Sequence, residues 1–357
     1  MAESGQRLAW LDAAKGGAIL LVVLHHVVLW LQPVDLVAPI FVTADHLLKQ
    51  ARMPLFFLAS GIATSFIHKA PRGEFVVFKL LPIAWIFMLW TAVYGLALEG
   101  AAQSPPWSAG GLLFYLPGAL IAGDHGMWFV MALGLMCLAA LITRNFPPMI
   151  VLGLALAMTV YNDITAWPYH FPVFPDWIVH NLLNYAIFFF AGLYGSQYFI
   201  KRAGSLRTMR VVLISALLGF IAVNVAVIAA EAWFWRTQTI RAILGTAIGF
   251  SAAVLLSEMP KIGPALSWFG QRSLGVFLGH GLFLVPFVTL LPSGISGSTI
   301  WGHVMPLIAT SIAVAGSLLL YLGLERIGLR WVYILPKRVG RSLLATLSSV
   351  RREQAAT

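Results

Sequence analysis

Residues 12–26 read DAAKGGAILLVVLHH. An acid and a base open the stretch, an apolar run follows, and two histidines close it. Built as a helix at ~1.5 Å and ~100° per residue, Lys15 and His26 stand roughly 16 Å apart along the axis and nearly on one face. His25 lies roughly 80° off that line. In a membrane helix, Lys15 then sits at one surface and His26 near the middle of the bilayer. Anchoring a helix requires no histidine there.

The rest of the chain supplies the membrane context. The 357 residues are 60% hydrophobic and 10% charged, with a mean hydropathy of +0.86. Apolar runs of spanning length recur from end to end, which defines an integral helical membrane protein. Ten spans are expected, at about 15–32, 53–67, 80–98, 126–142, 148–161, 179–199, 211–231, 240–256, 273–291 and 303–324. The second and fifth are short and either thin the bilayer or extend into their flanks. The stretch 110–123 is apolar but carries Pro117 and four glycines, and reads as interfacial or re-entrant rather than spanning.

The net charge of +10 follows the positive-inside rule rather than a nucleic-acid footprint. With the N-terminus placed in the cytoplasm, only Lys49, Arg52, Arg236 and Arg241 of the 23 basic residues fall outside. An N-in, C-in topology follows, and the inner (plasma) membrane is the expected location. Residues 1–335 form one membrane-embedded domain, and 336–357 a basic cytoplasmic tail attracted to anionic lipid. No cleavable signal is evident, and the first apolar run reads as a retained signal-anchor. The single cysteine, Cys137, excludes an internal disulfide. The loop NDITAWPYHFPVFPDW (162–177) is an interface belt by its aromatics, or a surface for stacking sugars.

Ionisable residues inside spans are costly, so each is a functional candidate. His26 leads, because a neutral imidazole, the form an apolar setting favours, is what a general base needs. Its plain alternative is a core histidine bonded to a neighbouring helix. Lys15 either snorkels to headgroups or, beside Gly16 and Gly17, meets an anionic ligand such as the phosphates of a nucleotide-like donor. Lys69, Arg72 and Lys79 gather in the next inner loop and share that option. Arg52, in RMPLFFLASG (52–61), opposes the local charge bias, so it pairs with Asp45 or another acid, or faces a polar cavity. His125 and Trp128 mark the outer mouth of the fourth span, and His280 lies within the ninth. No HExxH, CxxC, Walker or GxGxxG pattern has its required context, so neither a metal nor a nucleotide-hydrolysis site is expected.

DAAKGGAILLVVLHH resembles the first-helix motif of the acyltransferase-3 membrane family, a Lys or Arg followed after ten residues by His. Lys15 and His26 meet that spacing. RMPLFFLASG resembles the family's second-helix signature. Fainter echoes follow in order at Phe78-Lys79 with Pro82, Trp128-Phe129, Ser273-Leu274 with His280, and Glu325-Arg326, so the resemblance covers essentially the whole chain. Two departures stand out. The family's Arg-x-x-Arg falls on Val76 and Lys79, and the His it often carries two residues before the tryptophan falls on Gly126.

The resemblance implies a membrane O-acyltransferase that takes acetyl or another short acyl group from cytoplasmic acyl-CoA. The acceptor is a hydroxyl on an extracytoplasmic glycan, lipid or small molecule. His26 is then the catalytic base, Lys15, Arg72 and Lys79 bind acyl-CoA, and Arg52, His125 and Trp128 line the acceptor entrance. A secondary transporter or flippase is the alternative; it calls for inverted repeats, and none is visible. No residue pattern fixes an oligomeric state.

Overall fold

The computed structural model describes residues 8–99, 127–165, 176–229, 237–291, 299–336 and 338–345. Among them every regular element is helical. We label the helices α1 (Ala9–Leu31), α2 (Pro39–His68), α3 (Arg72–Leu98), α4 (Trp128–Ile142), α5 (Pro148–Thr165) and α6 (Asp176–Ala203). There follow α7 (Leu206–Ala229), α8 (Gln238–Ser257), α9 (Ile262–Gln271), α10 (Ser273–Thr289) and α11 (Thr299–Arg326).

Eight of the described helices are long and apolar enough to cross a membrane, or nine if α9 and α10, bent by 74° at their junction, form one span. The remaining expected span falls on α2, which is 30 residues long but carries Asp45, Lys49 and Arg52. Both short spans read from sequence extend into their flanks, α2 toward Pro39 and α5 to Thr165. Helix α9 was not expected: ten residues with two glycines are too short for a span signal. Residues 110–123 lie outside the described set.

Helix α1 is the hub, packed against α2, α8, α9, α10 and α11. Lipid tails are as apolar as leucine, so helices in a bilayer associate through close contact rather than hydrophobic exclusion. Glycines make that contact here. A Cβ on Gly16 would overlap the Leu266 carbonyl of α9, and one on Gly270 the Asp12 carbonyl of α1. Gly61 and Gly192 interlock α2 with α6 in the same way. Ser267 adds a hydrogen bond, Oγ donating to the Ala9 carbonyl at 3.1 Å.

Two further ties close the bundle. Asp163 of α5 accepts from the backbone N–H of Gln238 (3.2 Å) and Thr239 (2.9 Å), a carboxylate on the N-terminus of α8. The chain beyond α11 folds back onto α3, where the Trp85 and Trp90 indoles donate to the carbonyls of Trp331 and Val332 at 2.9 and 3.0 Å. The described part of the basic tail, 338–345, is helical, and Gly340 lies against Val77 and Phe78 of α3. The tail thus begins as a docked turn.

Adjacent glycines of α1 differ sharply. Gly16 is wedged on α9, whereas a Cβ on Gly17 would meet nothing within 4 Å. Gly16→Ala is therefore expected to lower the melting temperature of detergent-purified protein by several degrees, since overpacking costs ~1–3 kcal/mol. Gly17→Ala should hold or raise it, since alanine is the better helix former by ~1 kcal/mol. Equal shifts for the two variants would contradict this packing.

Candidate active site

The histidine end of α1 opens on a cavity of about 200 Å³. His25 and His26 face it from α1, Lys49 and Arg52 from α2, Trp128 from α4 and Tyr185 from α6. The aromatic wall is continuous: Trp128 approaches Tyr185 at 6.1 Å, and Phe129 meets Phe56 at 4.8 Å and Phe277 at 5.6 Å.

His26 is held in one tautomer. Its Nδ1 lies 2.9 Å from the Val22 carbonyl one turn earlier. A carbonyl only accepts, so Nδ1 carries the proton and donates it. In the neutral ring Nε2 is then the nitrogen with the free lone pair. His280 of α10, 4% exposed, is fixed alike, its Nδ1 donating to the Phe277 carbonyl at 2.6 Å. The two imidazoles face each other with centroids 4.8 Å apart. Neither can release its Nδ1 proton without giving up a backbone hydrogen bond, so proton exchange falls to Nε2 on both.

His25 belongs to a second arrangement. Its Nδ1 is 2.8 Å from Asp45 Oδ2, and Asp45 Oδ1 accepts from Arg52 Nη1. Asp45 therefore bridges α1 to the interior of α2 through two charge-assisted contacts. Arg52 is 2% exposed. A guanidinium so enclosed requires a carboxylate partner, and Asp45 satisfies both alternatives at once: Arg52 pairs with an acid and faces a polar cavity.

Of the residues singled out from sequence, His26, Arg52 and Trp128 meet in this cavity. Lys15 and Lys79 do not. Lys15 stands at the other end of α1, its ammonium 3.5 Å from Asp12 Oδ1, and Lys79 lies within electrostatic reach of it. Arg72 begins α3 with an exposed side chain. His125 lies outside the described residues. Helical geometry had set His25 aside, yet the cavity is wide enough to take side chains ~100° apart on one helix. An acid from another helix, Asp45 of α2, meets the imidazole of His25 rather than that of His26. Among the described residues no three metal-binding side chains gather.

An apolar bundle enclosing two fixed imidazoles, a guanidinium and a lined cavity has the build of a polytopic membrane enzyme. The comparisons agree: a family model described as an acyltransferase domain matches residues 8–324, so the chain belongs to the acyltransferase-3 family and is a membrane acyltransferase. No curated protein and no solved structure matches the chain.

Removing the bridge has a calculable effect. Asp45→Asn leaves the Arg52 charge buried without its partner, and breaking such a pair costs ~3–5 kcal/mol. The monodisperse fraction on gel filtration and the melting temperature should both fall. Asp45→Asn combined with Arg52→Met should recover much of the loss. Wild-type stability in Asp45→Asn alone would show that the pair holds nothing together.

Proposed function

We propose that this acyltransferase moves an acetyl or short acyl group from cytoplasmic acyl-CoA to a hydroxyl on an extracytoplasmic glycan, lipid or small molecule. The observation that carries the reading is His26, whose Nδ1 is committed to the Val22 carbonyl while the ring lines an interior cavity. Its Nε2 accepts the acceptor's hydroxyl proton as the oxygen attacks the thioester carbon. The proton then passes to the leaving thiolate, so the reaction closes with an ester and free CoA. His280, in ring contact with His26, keeps that imidazole in place.

The donor's phosphates need cations; Lys15 stands at the opposite end of α1, and Arg72 and Lys79 lie in the first turns of α3. The separation of roughly 16 Å along α1 suits a donor whose charged end stays at the surface while its thioester reaches inward. Trp128 and Tyr185 offer flat faces to a sugar or other ring-bearing acceptor, and the metal-free acid–base scheme needs no bound cofactor. The N-in, C-in orientation puts the lysine end in the cytoplasm, as the charge distribution favours.

Membranes carrying wild type, His26→Ala or Lys15→Ala, supplied with radiolabelled acetyl-CoA, test the assignment. Loss of the base should lower transfer by ~10²–10⁴-fold. Lys15→Ala should chiefly raise KM for acetyl-CoA. Undiminished transfer by properly inserted His26→Ala protein would remove the base from the scheme, and absence of any acyl-CoA binding would favour a transporter. For the orientation, cysteine labelling in a Cys137→Ala background should reach Ser205→Cys from the cytoplasmic side and Asp35→Cys from the other; the reverse pattern would invert the topology.

A further inference from the structure

A second cavity, of about 160 Å³, lies between α1, α2 and α8, separate from the aromatic one. Its walls are small and apolar, with Ala13, Gly17 and Leu21 on α1 and Gly249 and Ala252 on α8. Arg52 is the residue common to both cavities. Its Nη1 is spent on Asp45, but its buried Nε–H has no hydrogen-bond partner among the described residues. An orphaned guanidinium donor in a buried site is costly unless something it binds is missing. The second glycine of the Gly16-Gly17 pair takes part as well. Gly16 is consumed by packing on α9, whereas Gly17 lines this slot and leaves it open.

We propose that the slot receives the acyl chain of the donor, and that Arg52 Nε–H at its junction with the aromatic cavity donates to the acyl carbonyl oxygen. The proposal rests on the acyl-transfer reading above and adds the selection of the donor. During transfer the acceptor oxygen bonds to the carbonyl carbon, the C–S bond breaks, and the hydroxyl proton moves through His26 Nε2 to the CoA sulfur. In the tetrahedral intermediate the carbonyl oxygen carries the negative charge. A preformed cationic donor at that oxygen is worth most in a dry site, which is where Arg52 stands. His26 and Arg52 line the same aromatic cavity, His26 from α1 and Arg52 from α2, so base and donor approach one reacting carbon from two helices. The chain beyond the carbonyl then leaves the aromatic cavity on the Arg52 side. An apolar cavity of about 150 Å³ accommodates benzene, so the slot has room for an acyl chain of about six carbons.

The test is a chain-length profile in membranes containing the full chain, with radiolabelled acetyl-, butyryl- and hexanoyl-CoA as donors and label incorporated into endogenous acceptors as readout. Wild type should transfer all three. Gly17→Leu and Ala252→Leu fill the slot from facing walls, and each should lower the ratio of hexanoyl to acetyl transfer at least tenfold. Arg52→Lys keeps a cation beside Asp45 but removes the Nε–H; it should lower kcat by ~10²-fold while KM for acyl-CoA and the melting temperature stay near wild type. An unchanged ratio in both slot variants, or a wild type that transfers acetyl but neither longer chain, would overturn the slot. An Arg52→Lys enzyme with wild-type kcat would overturn the role of Nε. If acetyl transfer is also absent, the acyl-transfer reading itself fails, a result distinct from a lost preference.

Discussion

A guanidinium inside a helical bundle is tolerated only if a carboxylate meets it, and the Asp45–Arg52 pair meets that condition within one helix. Both partners lie on α2, seven residues apart, and the bridge extends to His25 on α1. The first two helices are thus fixed to each other at the depth of the aromatic cavity. Trp128 and Tyr185 complete a cavity that the charged pair has already positioned.

The remaining architecture protects that junction through close contact. Glycines seat α1 on α9 and α2 on α6 so tightly that the backbones touch, giving the two helices of the charged bridge separate partners on their outer flanks. Two backbone carbonyls then fix the tautomers of His26 and His280. Geometry, rather than any added group, decides which nitrogen is available.

Much of this was legible in the sequence, for identifiable reasons. Membrane spans announce themselves by length and hydropathy, and each expected span fell on a helix. His26 and Arg52 stood out because ionisable residues in apolar runs are rare. Helix α9 escaped because its role is to fill a groove, which leaves no length or periodicity signal. The pairing of His25 with Asp45 escaped because it depends on how α2 is rotated against α1, and nothing local to either helix encodes that. Position 280 carried a visible histidine but no sign of its neighbour, since the contact joins residues more than 250 positions apart. The sequence offered Arg52 an acid partner or a polar cavity, and the family resemblance an entrance role; only the fold places it between two cavities.

The unlike surroundings of Gly16 and Gly17 turn the first helix into a device of fixed length. Gly16 sets its rotation against α9, and the histidines ten residues on inherit that phase. One residue inserted or deleted between them would swing His25 and His26 by ~100° and shift them ~1.5 Å, out of line with Asp45 and His280. The apolar residues in between can change identity within the volume their neighbours allow. Their number cannot change, so the spacing from Lys15 to His26 is a constraint on count more than on composition.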